Sequence, residues 1–408
     1  MTSAQAAVLV PRRFAALDGM RALAAYGVLA THAGFNSGRS LDAGPFAPLL
    51  ARLDFGVTVF FLLSGFLLYR PFAAGALTGG PMPSVRRFYL RRALRILPAY
   101  WLAVLVTLSW LSNRTADRGD YASYLLLIQT YNHHNLDPSL TQMWTLAVEI
   151  SFYAVLPPLA LLARGRGRGG QSAVRHQLAL LAALVAVAIG SDLLAHHGSA
   201  TSLESLIWLP ANLDWFAAGM ALALLSCLSS TAMATGWTAR TARLARELAT
   251  APGTCWVIGG LLFWLASLPL GGPRNLLVPT GWEWTIKHWL YAFAALALLL
   301  PLTLGSGGLL GRLLSSPPMQ LLGQLSYGVY LWHLPLLLAI QRGLGQHTFG
   351  GHFTELFVLT ALAATGVAAL SWFGMERRLL RLGSLRSRPG GGSQQAAAAS
   401  SSAAPHPS

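Results

Sequence analysis

The sequence predicts an all-α integral membrane protein, a polytopic bundle of about ten transmembrane helices. Of its 408 residues, 54% are hydrophobic and only 11% are charged, whereas soluble domains carry about 25% charged residues. Apolar stretches of about 20 residues, the length that a helix needs to cross a bilayer, recur along the chain between short polar loops. Because these stretches are continuous rather than alternating, they exclude a transmembrane β-barrel.

The basic residues support the same architecture by their positions. The net charge is +15, and Lys287 is the only lysine. The arginines lie in clusters between the apolar stretches: Arg12 and Arg13, Arg86 to Arg95, Arg164 to Arg168, Arg240 to Arg246, and Arg377 to Arg388. This distribution is typical of cytoplasmic loops in membrane proteins, so it favours a bilayer over nucleic acid as the partner of the positive charge.

Alternation of arginine-rich loops and apolar stretches predicts the topology. An even number of spans places both termini in the cytoplasm, with residues 1–13 as an N-terminal segment, 14–380 as the membrane domain and 381–408 as a disordered tail. We expect a multi-pass protein of the inner (cytoplasmic) membrane. The apolar stretch 121–131 is short for a span and predicts an interfacial or re-entrant segment. The ten spans are expected near 15–34, 55–76, 97–112, 142–163, 177–195, 207–228, 254–271, 285–304, 322–342 and 354–375.

The stretch "SVRRFYLRRALRILPAYW", from Ser84, predicts an amphipathic basic helix at the inner membrane surface. Its arginines recur at intervals of three and four residues among apolar side chains, which is a helical period. They are Arg86, Arg87, Arg91, Arg92 and Arg95. The two cysteines, Cys227 and Cys255, lie near predicted cytoplasmic helix ends, so neither a disulfide nor a metal site is expected.

Ionisable residues inside the predicted first span point to function, because lipid penalises them. Arg21 and His32 are eleven residues apart, just over three helical turns, which places them on nearly the same face about 16 Å apart. Asp18, three residues before Arg21, extends this polar stripe. The alternative is that His32 is an ordinary interfacial residue near a helix end.

The fourth predicted span supplies a carboxylate. In "QMWTLAVEISFYAVLP" the residues Gln142, Thr145, Glu149 and Tyr153 share one helical face, and the predicted direction of the span places Glu149 at the depth of His32. We therefore expect Glu149 to orient His32, leaving the other imidazole nitrogen as a general base. The alternative is that Glu149 only hydrogen-bonds a neighbouring helix.

Several motifs together resemble the membrane-bound acyltransferase 3 family. They occur in the family's order over residues 14–380: "LDGMRALAAYGVLATH", "FGVTVFFLLSGFLLYR", "RRFYLRRALRILPAYW", "QMWTLAVEISFYAVLP", "LDWFAAGM", "LSYGVYLWHLPLL" and "MERRL". One departure is Thr145, where the family more often has serine. Another is that the sequence shows no hydrolase-like second domain, which leaves a peptidoglycan or O-antigen acceptor less supported.

The resemblance implies transfer of an acyl group, usually acetyl, from acyl-coenzyme A to a hydroxyl of a sugar, glycan or glycosylated natural product such as a macrolide. It also implies that His32 is the essential histidine, Arg21 the motif arginine and Glu149 the carboxylate of the WxLxxE motif. Acyl-coenzyme A is then a co-substrate, with no permanently bound cofactor. Arg91, Arg92 and Arg95 could pair with its phosphates, with Arg86 and Arg87 as further candidates, or all five could hold anionic lipid headgroups.

Two chemical routes remain open from the residues. In direct transfer, His32 takes the proton of the acceptor hydroxyl as the oxygen attacks the thioester. In a covalent route, Ser64 of "LLSGF" is the nucleophile, although this motif also suits close helix packing. Further residues that could line the cavity are Ser64, Trp144, Tyr153, His333 and Asp18.

Other polar residues have simpler interpretations, and other functions remain. Asp54 and Asp214 precede or begin predicted helices, so helix capping is expected for both. His133, His134, His196 and His197 fall in predicted external loops.

Two other classes of function are alternatives. A secondary transporter or flippase would also use buried His, Glu and Arg, but paired broken helices, which mark transport sites, are not evident. A purely structural scaffold would leave the polar stripe without a purpose.

Overall fold

The computed structural model describes residues 14–131, 136–165, 169–197, 205–230, 234–274 and 280–385. The predicted N-terminal segment 1–13, His133 and His134, and the tail from residue 386 lie outside these ranges. Residues 381–385, which the prediction assigned to the disordered tail, form the end of a helix.

The described ranges contain helices and no β-strand, which confirms the predicted fold class. Fifteen α-helices occur in these ranges: α1 (Ala15–Asn36), α2 (Ala47–Ala51), α3 (Phe55–Thr78), α4 (Val85–Val106), α5 (Arg118–Leu125), α6 (Trp144–Arg164), α7 (Gly170–His197), α8 (Leu213–Ser229), α9 (Gly236–Ala249), α10 (Pro252–Ser267), α11 (Gly281–Thr303), α12 (Gly308–Leu314), α13 (Pro317–Gly343), α14 (Phe353–Ser371) and α15 (Arg377–Leu385).

A long helix lies at each of the ten predicted spans, but fewer are apolar enough to be counted as membrane-crossing by composition. Within the described ranges seven helices meet that test, or eight if α9 and α10, which meet at 91°, form one bent span. The protein is thus a multi-pass membrane protein. Helices α1 and α13 fall outside the seven because they carry polar side chains. The number of ten spans and the cytoplasmic position of the termini remain predictions.

The basic segment differs from its prediction. The amphipathic helix and the following span form one continuous helix, α4, which passes through Pro98 and ends in a π-helical turn at Thr107–Leu111. The 27 residues from Val85 to Leu111 correspond to about 40 Å of helix, more than the roughly 30 Å of a hydrocarbon core. The segment after it contains only the eight-residue α5, too short to span, as predicted.

Two helix pairs form the centre of the bundle. The most extensive contact joins α3 to α8, and the next joins α1 to α13. In the first pair the backbones touch through glycines: a Cβ on Gly65 would meet the carbonyl oxygen of Phe216, and a Cβ on Gly219 would meet that of Leu62. The "SGF" motif is therefore a close-packing site for these two helices, as one of its two interpretations predicted.

Replacing Gly219 with alanine should destabilise the protein. The added methyl group meets backbone atoms of α3, which cannot rotate away, so we expect a loss of about 1–3 kcal/mol, typical of overpacking. Thermal unfolding in detergent should show a lower midpoint. Gly366→Ala is the matched control, because α14 leaves open space at that position; an equal loss in both variants would contradict the explanation.

Candidate active site

His32 lies in a cavity of about 260 Å³ at the predicted external end of the bundle. The cavity is bounded by α1, α3, α6, α8, α11 and α13 and by the segments before α6 and α8. Among the described residues, neither ring nitrogen of His32 has a hydrogen-bond partner; its ring contacts that of His333 at a centroid distance of 5.2 Å. The residues that line the cavity include Val28, Asp54, Val57, Gln142, Trp144, Trp215, Trp284, Lys287, His288, Tyr291 and Tyr330.

Asp54 is the carboxylate that faces this cavity, which corrects its predicted role as a helix cap. Its side chain makes no capping hydrogen bond at the start of α3. Instead Asp54 Oδ1 accepts a hydrogen bond of 2.6 Å from the hydroxyl of Tyr291, and its charge acts on both His32 and Lys287. The sequence did not identify this role, because a residue directly before a helix is usually a cap.

Glu149 lies elsewhere, so the predicted contact between Glu149 and His32 is wrong. Its Oε1 accepts hydrogen bonds from Ser64 and Tyr153, and it lines a separate, small cavity of about 30 Å³ together with Arg21. On α6 it is Trp144, five residues earlier, that reaches the cavity of His32. Five residues correspond to about 7.5 Å along the helix axis. Periodicity shows which face of a helix a residue occupies but not its depth relative to another helix, so the sequence could not reveal this offset.

Tyr330 and Val57 line both cavities and stand between them. The hydroxyl of Tyr330 is 2.8 Å from that of Thr145 and donates to the backbone oxygen of Gln142 at 3.3 Å. Arg21 lines the small cavity and His32 the larger one, so both side chains point from α1 into the bundle, as their spacing predicted.

The five arginines of α4 divide into two sets. Arg86, Arg87 and Arg91 are exposed, whereas Arg92 and Arg95 are half-buried. The guanidinium of Arg92 lies 5.9 Å from the ring centre of Tyr153, and Arg95 interacts electrostatically with Arg21, Arg92 and Glu376. A chain of ionisable groups therefore runs from the basic end of α4 to the small cavity that Arg21 and Glu149 share.

The remaining predicted cavity residues have different surroundings. Trp144 does line the cavity of His32. His333 is fully buried beside His32, with Nδ1 2.8 Å from the Tyr330 carbonyl; its Nε2 has no hydrogen-bond partner in the described ranges. Ser64 and Tyr153 bind Glu149, and with Asp18 they lie outside the residues lining either cavity.

His288, which lines the His32 cavity, is paired with a buried carboxylate that lies outside that lining. Asp214 Oδ2 is 2.8 Å from His288 Nε2, and the imidazole of His288 stacks on Trp215 with 4.1 Å between ring centroids. Both Asp214 and His288 are more than nine-tenths buried. Asp214 was predicted to act only at the helix terminus; it also binds this partner, which lies 74 residues away and which local spacing could not identify.

His288 also borders an adjoining cavity of about 550 Å³ between α7, α8 and α11. Here Asp192 accepts from the Thr285 hydroxyl at 2.7 Å and lies 3.1 Å from Nε2 of His196. Trp282, Trp289 and aliphatic residues of α7 complete the lining. His196, predicted as a loop residue, is therefore part of this wall near the end of α7.

The fold and these cavities define an integral membrane protein with ionisable side chains gathered inside its helix bundle. The chain belongs to the acyltransferase family: the family described as "Acyltransferase domain" matches residues 14–375. No solved structure gives a significant match.

Similar proteins carry O-acetyltransferase or nodulation names. Nodulation protein 10 of Rhizobium leguminosarum bv. viciae is 28% identical over 80% of this chain and 82% of its own length. YrhL of Bacillus subtilis, provisionally named a peptidoglycan O-acetyltransferase, is 27% identical over 79% of this chain. Peptidoglycan O-acetyltransferase OatA of Listeria monocytogenes is 23% identical over 79%. The chain spans about half the length of the Bacillus and Listeria proteins, 48% and 49% respectively.

The Asp214–His288 pair should stabilise the fold measurably. A double-mutant cycle with Asp214→Asn and His288→Asn should give a coupling free energy of about 1–3 kcal/mol, because each group loses a buried partner. Equilibrium unfolding in mixed micelles measures it. The exposed pair Arg39–Asp42, 2.8 Å apart, is the control and should give less than about 1 kcal/mol; equal coupling in both cycles would argue against the interpretation.

Proposed function

We propose that the protein is an integral membrane O-acyltransferase that transfers an acyl group, in the simplest case acetyl, from acyl-coenzyme A to a hydroxyl group in the cavity of His32. The observation that carries this proposal is the position of His32: an imidazole free of hydrogen-bond partners among the described residues, facing a cavity inside a bundle of the acyltransferase family. A neutral imidazole with an unoccupied ring nitrogen can accept the proton of a hydroxyl group during a reaction and return it afterwards.

The transfer step follows from this placement. The acceptor hydroxyl oxygen bonds to the thioester carbonyl carbon while its proton moves to His32; the carbon–sulfur bond then breaks, and the proton passes to the leaving thiolate. Ser64 is a less suitable nucleophile, because its hydroxyl is committed to Glu149 and it lines neither cavity. Direct transfer therefore accounts better for the geometry than an acyl-serine intermediate.

The donor is proposed to enter from the basic end of α4. Arg92 and Arg95 lie close to the small cavity of Arg21 and Glu149, and guanidinium groups suit the phosphates of coenzyme A. The thioester arm would pass Arg21 and Glu149 and displace Tyr330 or Val57 to reach His32. With the arginine-rich loops in the cytoplasm, this route starts at the inner face of the cell membrane.

The acceptor is proposed to be a sugar hydroxyl that approaches from the adjoining cavity bordered by His288. That cavity combines tryptophan rings with carboxylate, imidazole and hydroxyl groups, surfaces that suit the apolar faces and hydroxyls of a sugar. The names of the Bacillus and Listeria proteins, which refer to peptidoglycan O-acetylation, point to the same chemical class. A cell-surface glycan and a glycosylated small molecule such as a macrolide both belong to this class of acceptor.

Replacing His32 with alanine should abolish acceptor-dependent release of free thiol from acetyl-coenzyme A. The variant keeps the cavity but removes the group that takes the proton, so we expect a fall of at least about 100-fold. The assay follows free thiol colorimetrically with purified protein and a panel of methyl glycosides, peptidoglycan fragments and glycosylated macrolides.

His176→Ala is the matched control, since His176 is exposed on α7 and, within the described part of the chain, bonds only to the Ser172 carbonyl in its own helix. Its activity should equal that of the wild type. Thiol release that persists in His32→Ala would eliminate His32 as the base. If the wild type turns over no thioester with any acceptor, a transporter becomes the better explanation of the buried polar groups.

The division of the α4 arginines predicts unequal effects on donor binding. Arg92→Met and Arg95→Met should each raise the KM for acetyl-coenzyme A about tenfold or more, as expected for loss of a charge-assisted phosphate contact of roughly 1.5–3 kcal/mol. The exposed Arg86→Met should change it less than threefold, because screening weakens exposed charges. Equal effects at all three positions would favour lipid headgroups as their partners instead.

A further inference from the structure

We propose that Lys287 is a catalytic residue whose ammonium group binds the carbonyl oxygen of the acyl group as that oxygen becomes negatively charged during transfer. The inference rests on the proposed function, because it places the reaction in the cavity that Lys287 and His32 share. It adds a second chemical group to the site: His32 takes and returns the proton, and Lys287 stabilises the negative charge on the carbonyl oxygen.

The surroundings of Lys287 leave its ammonium available to a ligand. Among the described residues it has no hydrogen-bond partner and no ion-pair partner within 4 Å; its Nζ lies 4.8 Å from the ring centre of Trp284 and 5.9 Å from that of Tyr291. Aromatic faces stabilise a cation without using its N–H groups as conventional hydrogen bonds do. An ammonium carries three donors, so a bound oxygen atom can accept from it.

The neighbouring cation, Arg52, shows the opposite arrangement. Arg52 is buried, and its guanidinium donates to the backbone oxygens of Ala266, Gly271 and Gly272 at 2.6–3.2 Å. These bonds tie the segment before α3 to the connection between α10 and α11. Arg52 therefore serves the fold, whereas Lys287 lines the His32 cavity.

Asp54 provides the counter-charge without occupying the ammonium. Its Oδ1 is held by the Tyr291 hydroxyl at 2.6 Å, and its charge acts on Lys287 from beyond ion-pair distance. A partner at this range reduces the cost of placing a cation inside the bundle. It also leaves the N–H groups free, which an ion pair in direct contact would not.

The chemistry requires such a donor. When the acceptor oxygen bonds to the carbonyl carbon, the carbonyl π-electrons move to its oxygen; Lys287 donates a hydrogen bond to that oxyanion and keeps its own proton. When the carbon–sulfur bond breaks, the electrons return to re-form the carbonyl, and the sulfur leaves with its bonding pair and receives the proton held by His32. Placed donors of this kind act on charge that develops only during the reaction.

The residue type fits this role. Lys287 is the only lysine in a chain whose 29 basic residues are otherwise arginines. An ammonium is a compact charge with rotatable donors, whereas a guanidinium is a larger planar fork suited to carboxylates and phosphates. A single oxygen atom in the His32 cavity suits the ammonium better than the guanidinium.

Kinetics of Lys287→Met and Lys287→Arg test the proposal, with thiol release measured at saturating acetyl-coenzyme A and acceptor. Lys287→Met should lower kcat at least about 100-fold, the usual effect of removing one oxyanion donor, with the KM for acetyl-coenzyme A changed less than threefold. Lys287→Arg should recover part of the lost kcat, because the charge remains. Arg39→Met, which removes an exposed charge at the same end of the bundle, should behave as the wild type.

The outcomes separate the inference from the function on which it rests. If Lys287→Met keeps the wild-type kcat while His32→Ala is inactive, the role of Lys287 is wrong and the proposed acyl transfer stands. If Lys287→Met changes only the KM for the donor, Lys287 binds a ground-state anion and the inference is again overturned. If the wild type releases no thiol with any acceptor, the proposed function itself fails.

Chemical modification gives a second test if Lys287→Met does not fold. Treatment of the folded wild type with an N-hydroxysuccinimide acetate ester, followed by hydroxylamine to reverse ester formation, neutralises Lys287; the N-terminal amine is the other target. Activity should fall with the acetylated fraction of Lys287 measured by mass spectrometry. Lys287→Arg treated identically should keep its activity, and full activity after complete acetylation of Lys287 would overturn the proposal.

Discussion

The pairing of α1 with α13 is the contact on which the rest of the site depends. Both helices carry polar side chains that exclude them from the clearly apolar spans, and such groups are costly against lipid. Packed against each other, they direct His32, Tyr330 and His333 into the bundle. The two helices approach each other closely at Gly323, where the Cβ of any other residue would meet the backbone of Asp18. The other helices then enclose this central pair.

The enclosure produces two polar regions with different characters. Toward the basic end of α4, Arg21 and Glu149 line the small cavity, Arg92 lies over the ring of Tyr153, and one oxygen of Glu149 accepts from two hydroxyl groups. Toward the other end, His32 faces a roomier cavity whose lining includes Asp54, which is bonded to Tyr291, and His288, which is bonded to Asp214. One region therefore suits a multiply charged ligand, and the other suits a reaction in which a proton moves.

Periodicity and composition predicted the helices and the shared inward face of Arg21 and His32, because both depend on residues close in sequence. They could not predict the depth of Glu149 relative to His32: helices pack with a vertical offset set by contacts such as Gly65 with Phe216, which no single segment encodes. Nor could they identify the roles of Asp54 and Lys287, since their proximity comes from the packing of α3 against α11.

The position of Tyr330 and Val57 between the two cavities has a consequence for the energy supply of the cell. In the proposed reaction the donor enters from the inner face of the membrane and the acceptor from the other end of the bundle, so the enzyme has to join two compartments without letting protons leak between them. Tyr330 and Val57 separate the two cavities, and the Tyr330 hydroxyl is anchored to α6 through Thr145. A thioester arm that displaces them would fill the opening that it makes, so the electrochemical gradient would be insulated by protein before the reaction and by the substrate during it.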